Sequence, residues 1–71
     1  MFLVNLVTPL KEDWTELHKK IVKASACSVF SRSADAKEMC YRWIVSDFQE
    51  ALRMRWRLEL IPNTKVTLRE S

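Results

Sequence analysis

The chain opens on an almost unbroken apolar run, MFLVNLV, in which Asn5 is the only polar residue. Its length and β-favouring side chains predict a strand covered on both faces or placed centrally in a sheet. From Leu10 the pattern changes. Leu10, Trp14, Leu17, Ile21 and Ala24 recur at steps of four, three, four and three, which makes one stripe of an amphipathic helix. Lys11, Glu12, Thr15, Glu16, Lys19, Lys20 and Lys23 lie mostly away from that stripe. Thr8-Pro9 has the residue types of a helix start, because a threonine oxygen accepts from free first-turn N–H groups and proline there forfeits no hydrogen bond. Glu12 and Asp13 follow, where the helix dipole favours negative charge. The helix is expected to end within residues 24–30.

SRSADAKE, residues 31–38, reads as a break and a restart, with Ser31 or Ser33 capping a second helix and Asp35 in its first turn. Cys40, Ile44, Phe48, Ala51 and Leu52 form the main stripe of that helix, widened by Met39, Trp43 and Val45. Continued at about 100° per residue, the helix would bring Arg55 into the middle of the stripe, so the helical pattern is expected to fail there. From that point RMRWRLEL alternates, with Trp56, Leu58 and Leu60 on one face and Arg55, Arg57 and Glu59 on the other. Ile61-Pro62-Asn63-Thr64 has turn chemistry, and KVTLRE resumes alternation with Val66 and Leu68. Pairing Leu60 with Val66 and Leu58 with Leu68 across a loop of Pro62 to Thr64 keeps all four side chains on one face.

The predicted order is strand, helix, helix, strand, strand. It implies one α+β domain over residues 1–71, with a helical hairpin packed on one face of a small antiparallel sheet. The alternative is an all-α helical hairpin in which the second helix runs to about Leu60, since ALRMRWRLEL contains good helix formers throughout.

Composition narrows the chemistry. The 71 residues include no glycine. Phosphate-cradling loops and dinucleotide folds need glycine where the backbone approaches a ligand or takes positive φ, so P-loop, Rossmann and G-x-S-x-G chemistry are excluded. Turns and helix C-termini must rely on Asn, Ser or other residues that tolerate the left-handed region. A single domain of this size has a thin stability margin, which makes self-association or a partner a natural expectation. The net charge of +3 is a mild bias with both signs spread along the chain. No leader precedes FLVNLV and the charges of KED arrive at position 11, too early for a signal peptide or membrane span, so a cytoplasmic protein with reduced thiols is expected.

Candidate catalytic groups are sparse. His18, the only histidine, has Thr15 and Lys19 beside it and apolar helical neighbours, with no partner to tune it as a base. Cys27 and Cys40 are too few for a disulfide framework, although an oxidising setting would let them bridge. With His18 and Asp35 they match no close-paired zinc spacing. Glu12/Glu16 and Asp47/Glu50 read as solvated helix faces, without the contrasting environments that acid and base carboxylates require. No enzyme, metal or cofactor is expected.

Two binding readings remain. Three tryptophans, three phenylalanines and one tyrosine exceed what so small a core is expected to cover. Aromatic and arginine clusters make protein-binding hot spots. Tyr41, Trp43 and Val45 on the second helix, with Arg55, Trp56 and Arg57, are therefore the candidate surface for a protein partner or for homodimerisation. Such a chain suits a small regulator or inhibitor, for example one encoded by a phage or mobile element. The other reading is a nucleic-acid-binding regulator in which Arg53, Arg55 and Arg57 join Lys19, Lys20 and Lys23 in contacting phosphates.

Overall fold

The apolar opening does form a strand, β1 (Phe2–Pro9), and it takes a central place in a sheet. The computed structural model describes residues 1–26 and 31–70. After β1 come α1 (Trp14–Ser25), β2 (Ser31–Ala34), β3 (Glu38–Val45), α2 (Phe48–Glu59) and β4 (Lys65–Glu70). The sheet order is β2-β3-β1-β4, with each neighbouring pair antiparallel. Each helix therefore crosses over one intervening strand, and both pack on the same face, the split β-α-β arrangement of ferredoxin-like folds. The α+β class with two helices on an antiparallel sheet agrees with the sequence pattern, and the all-α alternative does not hold.

The order of elements differs from expectation in the middle of the chain. Residues 31–45 are not a helix but a hairpin, β2 and β3, so the helices do not form a consecutive hairpin. Met39, Tyr41, Trp43 and Val45 alternate inward and are buried, whereas Glu38, Arg42 and Ile44 on the opposite face are exposed. Cys40 and Ile44 put apolar residues on the outward face as well. With Phe48 they mimic the four-residue step of a helix, which hid the period of two. Asp35 does not open a helix; its Oδ1 accepts the backbone N–H of Lys37 at 2.7 Å and of Glu38 at 2.9 Å, closing the β2–β3 turn.

The expected hairpin across residues 56–69 is also replaced. Residues 48–59 are helical, and β4 pairs with β1 rather than with 56–60. The helix buries Ala51, Met54 and Leu58, and Ile61 continues the same steps of three and four beyond its end. Projecting the stripe from Ile44 misplaced Arg55, because Ile44 belongs to a strand. Asp47 caps α2 by accepting from the Gln49 N–H, and Thr64 Oγ1 donates to the Ile61 carbonyl at 2.8 Å beyond its other end. Thr8-Pro9 ends β1 instead of starting α1, and Thr8 is buried under the helices. Val66 and Leu68 sit on the helix-facing side opposite Leu6 and Val4, as their alternation predicts.

The core lies between sheet and helices: Val4, Leu6, Ile21, Met39, Tyr41, Trp43, Ala51, Met54 and Leu58 are all buried. No Cα of α1 comes within 8 Å of a strand Cα, so large side chains fill that gap. No helix among the described residues is long and apolar enough to cross a membrane. Without glycine, positive φ falls on Ala26 (56°) at the end of α1 and Asn63 (63°) after α2. Asparagine tolerates this region, but an alanine there costs roughly 1–2 kcal/mol. Ala26→Gly is expected to raise stability by about 1 kcal/mol, net of the entropy glycine adds to the unfolded chain. Urea denaturation checks this; an unchanged or lower midpoint would contradict it.

Candidate interaction surfaces

The residues proposed for partner binding separate into two groups. Tyr41 and Trp43 have 0% exposure and Val45 only 8%, so all three belong to the core rather than to a contact surface. Their strand alternation turns them toward the helices. Trp56 points the other way, at 68% exposure, next to Leu60 at 84%. On a helix whose buried direction is set by Ala51, Met54 and Leu58, Gln49, Arg53, Trp56 and Leu60 occupy the opposite face.

The arginines of this segment have different tasks. Arg57 donates from Nε to the Ala24 carbonyl at 2.6 Å and from Nη2 to the Ser25 carbonyl at 3.4 Å. It thus occupies carbonyls at the C-terminus of α1, where free acceptors and the negative dipole end favour a cation. Arg55 donates from Nε to Glu59 Oε1 at 2.9 Å, one turn away. Arg53 and Arg55 lie about 200° apart around α2 at a helical period of 100° per residue. On α1, Lys19 pairs with Glu16 at 3.8 Å, and Lys20 lies toward the 61–63 loop. The six cations proposed for phosphate contact therefore do not form one surface.

A second cluster, unanticipated from the sequence, surrounds the Tyr41 phenol. His18 Nδ1 lies 2.6 Å from the Tyr41 oxygen and 3.4 Å from Arg32 Nη1. Arginine can only donate, which marks Nδ1 as the acceptor and the tyrosine O–H as its donor. The rings continue the arrangement: Trp14 meets His18 edge-on at 6.3 Å, His18 stacks on Tyr41 at 5.7 Å, and Tyr41 stacks on Trp43 at 5.8 Å with 11° between planes. Burial pushes the Tyr41 phenol above its ordinary value of 10.0, with the Arg32 guanidinium pulling the other way. A phenol held neutral and enclosed is a packing element, with no open side from which to act as a nucleophile. The sequence signal was present but faint, in the inward alternation of Tyr41 and the place of Arg32 directly opposite it in the β2–β3 register.

Of the remaining candidates, Cys27 lies outside the described residues. Cys40 is a free, half-buried thiol on the outer sheet face. Among the described residues no group of three or more His, Cys, Asp or Glu side chains is placed to hold a metal ion. Asp47 is occupied as the α2 cap, and Glu16 pairs with Lys19.

No protein-family model matches the chain, and no curated protein matches it. Among solved structures it resembles the crystal structure of protein Atu4242 from Agrobacterium tumefaciens, with a TM-score of 0.57 and 14% identity over 99% of this chain and 92% of the other. At that identity the resemblance supports the fold alone.

Because the folded state favours the neutral phenol, its stabilisation is complete below the unfolded value near 10 and is lost as pH rises through the higher folded value. Ultraviolet titration of this only tyrosine is expected to show phenolate at higher pH in the native protein than in denaturant, and Tyr41→Phe is expected to remove the corresponding alkaline loss of stability. Coincident titration curves in the two states would contradict the enclosed phenol.

Proposed function

We propose that the protein is a non-enzymatic interaction module, a small regulator or inhibitor that acts by seating the outer face of α2 on a protein partner. The observation that carries this reading is Trp56, two-thirds exposed at 68% on the face of a well-capped helix, with Leu60 beside it at 84%. A rigid helix presenting tryptophan, leucine and arginine supplies the side chains that dominate protein interfaces, at little conformational cost. Arg53 on that face pairs with no described residue and is placed to meet a carboxylate, while Arg55 remains tied to Glu59. Self-association through the same face is the variant of this reading in which the partner is a second copy. A reduced Cys40 fits a cytoplasmic setting, and the small single-domain size fits the compact effectors of phages and mobile elements.

Trp56→Ala is expected to leave the thermal melt and circular dichroism spectrum unchanged, because the side chain lies outside the core. Partner capture, or self-association measured by light scattering, is expected to fall roughly tenfold or more, the loss typical of truncating an interface tryptophan. If no protein is enriched on the parent over the variant, and the solution mass is that of a monomer at all concentrations, the reading fails.

A further inference from the structure

Among the described residues, no element covers the face of the sheet turned away from the helices. Alternation brings Leu3, Asn5 and Val7 of β1, Cys40, Arg42 and Ile44 of β3, and Lys65, Thr67 and Arg69 of β4 onto it. The register orders them: Arg42, Asn5 and Thr67 lie across one row, Cys40, Val7 and Lys65 across the next, and Ile44, Leu3 and Arg69 across a third. The first two rows line a depression of about 270 Å³. Asn5 is among the residues lining it, and its side-chain oxygen is shielded from solvent with no hydrogen-bond partner among the described residues. A buried acceptor left without a donor is costly.

The charge of this face is one-sided. Arg42, Lys65 and Arg69 form no ion pair with any described residue, and Glu38 at the end of β3 is the only acid among the described residues of the face. The apolar residues of the face, Leu3 and Ile44 on one side of the Arg42–Asn5–Thr67 row and Val7 on the other, are aliphatic, with Ile44 42% exposed. Every aromatic ring of the strands, Phe2, Tyr41 and Trp43, points to the helix side, so successive bases of a nucleic acid would find no stacking platform here. A second copy laid face to face would set like charges against each other. The geometry points to an acidic, amphipathic segment of a partner protein as the occupant. Its apolar side chains lie on Leu3, Val7 and Ile44, and its carboxylates meet Arg42, Lys65 and Arg69. This surface is separate from the α2 face and stands without it.

The test is a titration of the nitrogen-15-labelled protein with a short peptide alternating leucine and glutamate, followed by amide chemical shifts. Saturable shifts on Asn5, Val7, Cys40, Arg42 and Lys65 are expected, weakening as salt screens the charges. The double substitution Arg42→Glu with Lys65→Glu, both exposed and outside the core, is expected to lower affinity at least about tenfold. Trp56→Ala should leave it unchanged. An absent or non-saturating response, shifts confined to α2, stronger binding of oligothymidylate at the same amides, or equal affinity of the double variant would each overturn the proposal. Concentration-dependent dimerisation through these amides without peptide would also overturn it.

Discussion

The rings of Tyr41 and Trp43, stacked at 5.8 Å on neighbouring inward positions of β3, set the spacing of the molecule. Both are fully buried, and between them they occupy the gap that keeps α1 beyond 8 Å from the strand backbones. The first helix therefore rests on side chains, and its register on the sheet follows from what those side chains accept: His18 on the phenol oxygen, Ile21 in the core. Arg32 on β2 reaches the same imidazole, so the short edge strand is tied to the helix through the tyrosine. From the far end, Arg57 anchors α2 to the carbonyls that close α1. A chain too small to rely on area alone joins its elements through a few polar groups, each answering an otherwise free acceptor.

How much of this was legible follows from which residues share a face. The first strand could be read from its unbroken apolar run, MFLVNLV, the first helix from its stripe of Leu17, Ile21 and Ala24, though it begins at Trp14 and not after Thr8-Pro9, and the last strand from the alternation of Val66 and Leu68. The middle could not, because the outer face of β3 mixes apolar Cys40 and Ile44 with charged Glu38 and Arg42. Ile44 and Cys40 belong to the uncovered side of the sheet, and their hydrophobicity erased the contrast on which a period of two depends. The helix at 48–59 was obscured by the reverse accident, since RMRWRLEL alternates in composition while Met54 and Leu58 do the burying. The same ambiguity governed the candidate surfaces. Tyr41 and Trp43 belonged to the candidate surface only on a helix that does not exist, whereas Trp56, placed on the same surface, is exposed on α2. The role of Arg57 depends on a contact across 33 positions and has no local signature.

The aromatic excess noted from composition is thereby divided. Tyr41, Trp43 and the Phe2–Phe48 pair at 5.2 Å lie on the helix side of the sheet, and Trp56 stands apart on the outer face of α2. Charge is divided as well: Lys19, Arg55 and Arg57 of the helices are tied to Glu16, Glu59 and backbone carbonyls, whereas Arg42, Lys65 and Arg69 of the sheet face are not paired with described residues. Two chemically distinct surfaces, one aromatic and one aliphatic with a cationic border, thus lie on opposite sides of one core.

The ends of the sheet complete this arrangement. The outermost strands are β2, four residues long and exposed throughout, and β4, which carries Lys65, Thr67, Arg69 and Glu70 among its six. Short, polar and charged borders of this kind discourage a fifth strand from adding by backbone pairing. The molecule can therefore leave Leu3, Val7 and Ile44 on a sheet face that no described element covers without seeding fibrous growth at its margins.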